Sequence, residues 1–172
     1  TVLDLYSELH YKLKVSLQPL APFDIPTDWY GPLKEILNQV TPFVKLCWLK
    51  SATGGWCTGV RLSSFKDRGC IFGCADVRDE LCHYLQCPHL WKFANEHCEG
   101  SEFNCNFLHR LGLFEPSVNK LKRLAFCHSL YHTCVNNPEC VRECGLPYSQ
   151  ETVLAKAGQL SSFCIHRIGG PV

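Results

Sequence analysis

Apolar residues recur at helical spacing through the first third of the chain. Leucines four residues apart predict a helix over residues 1–18: Leu5, Leu9, Leu13 and Leu17. The prolines that follow predict an extended connector, because proline lacks a backbone N–H: Pro19, Pro22 and Pro26. A second helix is predicted to begin near Pro32, to bend at Pro42 and to end before Gly54-Gly55.

The rest of the chain is also patterned mainly as helix. We predict a short helix from Pro88, a longer one from the cap Ser117 to about Val135, and a last one over about 149–166. A strand pair is expected only within Gly59–Phe65. The predicted class is therefore mostly α. The predicted core is built from large apolar side chains: Trp48, Trp56, Phe65, Phe72, Leu81, Leu85, Leu90, Trp91, Phe107, Leu121, Leu124 and Tyr131.

The composition supports a folded chain and disfavours nucleic-acid binding. Of 172 residues 46% are hydrophobic, which excludes a wholly disordered chain. The net charge is only +1, whereas free-standing nucleic-acid binders usually carry a basic excess. No apolar run approaches the length of a transmembrane segment. Because methionine is absent, we expect a processed protein or a fragment of a longer precursor.

Thirteen cysteines, an odd number, cannot all pair within one chain. Aromatic and aliphatic residues already supply a core, so free thiols and a metal site fit better than a disulfide framework. We therefore expect an intracellular, reducing compartment, or an organelle reached after removal of a targeting segment.

The strongest chemical motif is Cys70-x3-Cys74-x8-His83-x3-Cys87. Zinc prefers four tetrahedral thiolate and imidazole ligands, which small modules supply as two close pairs. Gly73 would let the backbone turn tightly within the first pair, and a helical turn would place His83 and Cys87 on one face. The spacing predicts one structural zinc ion, and a closed set of four ligands favours a structural role over a catalytic one.

Other interpretations of this segment are open from the sequence. The four residues could be unrelated buried side chains, and Cys82 could serve as a substitute ligand beside His83. Asp79 is predicted to cap a helix that begins near Glu80. With the motif, the chain divides into three parts. They are N-terminal helices with the Pro-rich connector (1–50), a zinc-knuckle-like module (51–100) and a C-terminal helical segment (101–172).

The sequence around the motif reads CIFGC at residues 70–74, then acidic residues, then LCHYLQCPHLW at 81–91. This pattern resembles the C-terminal CCHC zinc-binding segment of LINE-type (non-LTR retrotransposon) reverse transcriptases. GGWCT at 54–58 resembles the lead into that segment, and residues 124–132 resemble its following helix, so the resemblance covers about 44–136. It implies a module that helps to hold template RNA or target DNA.

Catalysis is not expected. A polymerase palm needs adjacent aspartates for its metal ions, and this chain has no Asp-Asp pair. It also lacks the nucleophile elbow, the P-loop, the dinucleotide fingerprint and the zinc-protease motif. We interpret the pattern as a retroelement tail fragment that a host protein uses for another purpose.

A second group of cysteines and histidines allows several interpretations. It comprises Cys127, His128, His132, Cys134, Cys140 and Cys144. These residues could form a second metal site or a disulfide, although buried free cysteine is the commonest state. No C-x-x-C is present, so a thioredoxin-type redox centre is not expected.

Two candidate contact regions follow from charge and aromatic content. The only basic stretch lies on the helix after Ser117 and comprises Lys120, Lys122 and Arg123. Phosphate contacts would concentrate there, although a solvated helix face is the plainer interpretation. Aromatic residues lie among the connector prolines: Phe23, Trp29 and Tyr30. They either form a partner interface or pack on the chain's own helices.

Two functions are therefore considered. The first is a non-catalytic structural or accessory subunit that binds other protein subunits of a larger assembly, with one structural zinc ion. The second is the nucleic-acid-binding zinc module that the resemblance implies, which the near-zero net charge disfavours.

Overall fold

The computed structural model describes residues 2–20, 23–61, 69–98, 106–136 and 165–168. Helices dominate these ranges, as predicted, and residues 165–167 form one further helical turn. In chain order the helices are α1 Val2–Leu17, α2 Tyr30–Gln39, α3 Pro42–Ala52, α4 Leu81–Tyr84, α5 Pro88–His97, α6 Phe107–Arg110 and α7 Val118–Asn136. No strand occurs within these ranges, where an isolated bridge joins Gly69 and Arg78.

The chain around Pro42 differs from the prediction of one bent helix. Thr41 is extended, and its hydroxyl accepts a hydrogen bond from the Val44 N–H at 3.4 Å. Pro42 occupies the first position of α3, where a backbone N–H has no partner within the helix. Thr41 and Pro42 together therefore begin a new helix instead of bending an existing one.

The remaining helix predictions are confirmed where the structure describes them. α1 covers the predicted first helix, and α5 begins at Pro88. α7 follows Ser117, whose hydroxyl accepts from the Lys120 N–H at 3.2 Å. The predicted last helix and the strand pair at Gly59–Phe65 lie largely outside the described residues.

A single hydrophobic core draws residues from all three parts of the chain. α7 lies at its centre and packs against α2, α3, α5 and α6, while α1 packs against α3. Every predicted core residue is buried except Phe65, which lies outside the described residues. The central position of α7 explains why even polar side chains such as His128 and Ser129 are buried.

The connector aromatics pack on this chain's own helices. Trp29 is only 2% exposed, and its indole N–H donates to His10 Nδ1 at 3.1 Å. Trp29 therefore belongs to the core, and the partner-interface interpretation does not hold for it. Phe23 is half-buried, with its ring edge-on to Phe107 at 5.3 Å, and Tyr30 is also half-buried. For Phe23 and Tyr30 an interface role stays a prediction.

Candidate metal centre

The four side chains of the cysteine–histidine motif converge on one point. Ligand atoms of Cys70, Cys74, His83 and Cys87 all lie within 4.8 Å of one another. Cys87 Sγ lies 3.8 Å from Cys70 Sγ and 3.7 Å from Cys74 Sγ. Zn–S bonds of about 2.3 Å in a tetrahedron would place the sulfurs about 3.8 Å apart. These separations match a metal–thiolate centre and far exceed a disulfide bond of about 2.05 Å.

Tight local structure positions the first pair of sulfurs. Gly73 has φ +84°, the conformation that the sequence predicted for this glycine, and its N–H donates to the Cys70 carbonyl at 3.2 Å. The Phe72 N–H donates to Cys70 Sγ at 3.4 Å. The second pair comes from α4, which carries His83, and from Cys87 directly before α5. The N-terminus of α5, the positive end of its dipole, therefore lies at Cys87.

The arrangement favours a thiolate at Cys70. A hydrogen bond from Cys87 lowers the pKa of the Cys70 thiol to about 4, against the opposing effect of burial and with help from His83. Burial and the negative charge of Cys70 raise the pKa of Cys74 to about 11. The hydrogen bond to Cys70 and burial raise the pKa of Cys87. A divalent cation would stabilise all three sulfurs as thiolates, the form that binds metal.

The fourth candidate ligand has one ring nitrogen without a hydrogen bond. Nε2 of His83 is buried without a hydrogen bond, although buried polar atoms are nearly always paired. An imidazole beside three sulfurs completes a Cys3His set, one of the common structural zinc sets. The residues present therefore fit a zinc ion.

Two neighbouring residues have roles other than those predicted. Cys82 is not part of the cluster, since its thiol lies 3.6 Å from the Ser16 carbonyl oxygen. Asp79 does not cap α4, because Glu80 occupies the cap position and makes no side-chain cap bond. The backbone before α4 turns the buried Asp79 carboxylate towards α7 instead.

A polar network beside the cluster was not anticipated from the sequence. The Asp79 carboxylate accepts from the Tyr131 hydroxyl and from the Gly59 N–H, both at 2.9 Å. The Tyr84 hydroxyl accepts from the Ile71 N–H at 3.2 Å, directly after the first ligand. The bond from Tyr131 to Asp79 fastens the segment that carries the candidate ligands to α7. No local pattern marks them, because Asp79 and Tyr131 are 52 residues apart.

An aromatic stack reinforces the same junction. The Trp56 ring lies 6.0 Å from Tyr84 and 5.2 Å from Tyr131, and the two tyrosine rings are 4.5 Å apart. The Trp56 indole N–H donates to the Ser51 hydroxyl at 2.9 Å. Burial raises the pKa of Tyr84, so its hydroxyl stays neutral. These three rings form a rigid surface against which the segment with the candidate ligands packs.

The predicted basic stretch does not form a charged surface. Lys120 is buried, and its ammonium donates to the Glu115 carbonyl at 2.7 Å and to the Phe114 carbonyl at 3.3 Å. Arg123 is only 2% exposed, and Lys122 is half-buried. The predicted phosphate-binding face is therefore corrected: two of its three cations lie in the protein interior.

The second cysteine group is only partly described. Cys127 and Cys134 are buried and form no disulfide, and burial raises the pKa of Cys127. Cys140 and Cys144 lie outside the described residues. His128 and His132 line a separate cavity. In the part of the chain that the structure describes, no second group of three or more candidate metal ligands occurs.

Comparison with known proteins identifies no relatives: no family model, no curated protein and no solved structure matches the chain. The resemblance to the LINE-type segment therefore stays a prediction. Among the described helices, none has the length and hydrophobicity required to cross a membrane.

Proposed function

We propose that this chain is a non-catalytic structural subunit of a larger protein assembly, stabilised by one zinc ion and derived from a retroelement-like fragment. The closed Cys3His cluster is the observation that carries the proposal. Four protein ligands complete a tetrahedral zinc shell, whereas a catalytic zinc keeps one position for water. The resemblance around residues 70–91 supports the retroelement origin.

The position of the cluster explains how zinc would serve the fold. Its ligands come from the loop at Cys70–Cys74, from α4 and from the start of α5. The network through Asp79 and Tyr131 continues from this segment to α7. Zinc would therefore hold the middle of the chain against the central helix, and a reducing compartment would keep the thiols available.

Exposed apolar side chains supply a surface for protein partners. Tyr11 and Val15 lie four residues apart on α1 and are 67% and 51% exposed. Leu46 and Leu49 lie three residues apart on α3 and are also exposed. Each pair shares one side of its helix. Such surfaces suit other protein subunits better than a nucleic-acid backbone, which requires cations.

The alternative is a nucleic-acid-binding zinc module. The resemblance to the LINE-type segment favours it. The net charge of +1 and the burial of Lys120 and Arg123 weigh against it.

A gel-shift assay at two salt concentrations separates the two functions. Zinc-loaded chain would be mixed with single-stranded RNA and with duplex DNA at about 50 and about 200 mM salt. The structural-subunit proposal predicts no shift at micromolar protein in either buffer. A shift at low salt that is lost at high salt would favour the nucleic-acid module.

A second experiment tests the protein partners directly. The double variant Tyr11→Glu, Val15→Glu would be compared with wild type by size-exclusion chromatography of extracts from the native source. Wild type should elute in a high-mass complex and the variant as a free chain, because two charges would enter the apolar contact. Lys34→Glu, at an exposed position on α2, is the control and should stay in the complex. Elution of wild type as a free chain would contradict the proposal.

A further inference from the structure

A second set of polar side chains, of which His128 and Ser129 are buried, lines a cavity between α3 and α7 that shares no residue with the metal centre. The cavity has a volume of about 650 Å³, which falls in the range of small-molecule sites. Its lining includes Lys50 from α3, His128, Ser129 and His132 from α7, and Arg167 from near the C-terminus. Phe43 and Leu46 give it an apolar side.

Several polar atoms of this lining have no hydrogen-bond partner. They are both ring nitrogens of His128, the Ser129 hydroxyl and Nε2 of His132, and all of them are buried. His128 is 6% exposed and Ser129 is 3% exposed. A helical serine often bonds the carbonyl four residues earlier, which Ser129 does not do. Because buried polar groups are nearly always paired, the cluster indicates a place for a polar ligand.

The charge of the residues that line the cavity favours an anionic ligand. Burial, with help from His132, Lys50 and Arg167, lowers the pKa of His128 to about 3. Burial and Lys50 lower the pKa of His132 to about 4. Both imidazoles are therefore neutral at pH 7, and each offers one N–H donor. Lys50 and Arg167 supply the charge, and among the described residues no carboxylate lines the cavity.

A metal cation fits this cavity less well. His128 and His132 lie four residues apart on α7 with ring centroids 4.3 Å apart, a spacing that can bind metal. However, Lys50 and Arg167 would repel a cation. Within the described ranges, no third ligand gathers with the two imidazoles.

We propose that this cavity binds a small phosphate monoester, whose phosphate contacts Lys50 and Arg167 and accepts hydrogen bonds from His128, His132 and Ser129. Donors from several directions and two cations match a tetrahedral dianion better than a planar carboxylate with a single charge. The Arg167 guanidinium lies over the Phe43 ring at 4.5 Å, so the organic part of the ester would pack beside this pair, on Leu46. The site shares no residue with the metal centre, and titration of the isolated chain tests it in the absence of the protein partners proposed for the exposed Leu46.

Calorimetric titration of the full chain, as purified, with phenyl phosphate tests this assignment, with inorganic phosphate as the competitor. Lys50→Gln and Arg167→Gln should each weaken binding about tenfold or more, because charge-assisted bonds to phosphate are strong. Lys34→Gln on α2, exposed and outside the cavity, is the matched control and should bind like wild type. The ¹⁵N signals of His128 and His132 should shift during the titration.

Several results would overturn the proposal. They are no binding up to about 10 mM phenyl phosphate, equal affinity for benzoate, or unchanged affinity in Lys50→Gln. Tighter binding of a single-stranded oligonucleotide at the same residues would overturn the small-ester assignment. A second zinc ion that is lost in His128→Gln would assign the cavity to a metal. Zinc content and circular dichroism of each variant would verify folding, and Lys50, which is only half-buried, can change without opening the core.

Discussion

The metal centre and the α3–α7 cavity both gather buried cysteine, histidine and hydroxyl groups, yet their chemistry differs. In the metal centre, three sulfurs approach one another to within 4.8 Å, beside a histidine with an unpaired Nε2. The cavity is lined by two imidazoles together with the cations Lys50 and Arg167. Whether such a cluster suits a cation or an anion depends on the local charge and on the spacing of the donor atoms. It does not depend on the number of cysteines and histidines.

The side chain of Trp56 contacts both regions. Trp56 stacks on Tyr84 beside the metal centre and meets the His128 ring edge-on at 5.3 Å beside the cavity. The metal ligands should contribute most to stability, because a closed metal site adds its binding free energy to folding. The cavity residues should contribute mainly to binding and to pH dependence.

The largest effect is expected from loss of a metal ligand. Cys74→Ser should lower the free energy of unfolding by more than about 3 kcal/mol and abolish stoichiometric zinc, because structural zinc supplies folding energy directly. Cys82→Ser is the matched control: it is a buried thiol beside His83 that lies outside the cluster. It should cost about 1 kcal/mol or less. Urea unfolding would measure both, and equal losses would show that the cluster has no special role.

The next largest effect concerns the network that joins the metal centre to α7. Asp79→Ala should cost about 3 kcal/mol, because it leaves the Tyr131 hydroxyl and the Gly59 N–H without their acceptor. Asp24→Ala, at an exposed position, should cost less than about 0.5 kcal/mol. Thermal unfolding with zinc retained would measure this difference. Similar melting temperatures for the two variants would argue against the network.

An intermediate effect should appear as acid sensitivity of the cavity. The folded-state pKa of His128, about 3, lies below its ordinary value of 6.5, so below pH 6.5 the unfolded chain binds the extra proton. The contribution of His128 to the free energy of unfolding is therefore complete above about pH 6.5 and is lost as the pH falls towards 3. At pH 5 the loss from this group is about 2 kcal/mol. Between pH 7 and pH 5, the free energy of unfolding should fall by about 2 kcal/mol more in wild type than in His128→Gln. If it fell equally in both, the low folded-state pKa of His128 would be refuted.

The smallest effect distinguishes a buried lysine from a half-buried one. Lys120→Gln should cost about 1 kcal/mol, because its ammonium bonds the Glu115 and Phe114 carbonyls. Lys122→Gln should cost less than about 0.5 kcal/mol. Chemical denaturation of the two variants would measure the difference. If Lys122 proved the costlier change, the placement of these cations would be wrong.

Local patterns allowed the Cys3His cluster and most helices to be predicted. Cys70 to Cys87 lie close in sequence, so their spacing and Gly73 were enough to place four ligands together. The start of α3 also had a local signal in Thr41-Pro42, which favours a cap and a first helical position over a bend.

Features that depend on contacts between distant segments could not be predicted. The bond from Tyr131 to Asp79 and the approach of Arg167 to α7 join parts of the chain far apart in sequence. Likewise, counting charges suggested a basic face on α7. The central position of that helix, which only the tertiary fold determines, buries Lys120 and Arg123.

Zinc X-ray absorption of the full chain, combined with elemental analysis, tests the central claim most directly. The account predicts one zinc per chain with three sulfurs at about 2.3 Å and one nitrogen at about 2.0–2.1 Å. A chain purified under reducing conditions without zinc would contradict it. A zinc shell with two nitrogens or with a water oxygen would contradict it as well, because the ligand set would then differ from Cys70, Cys74, His83 and Cys87.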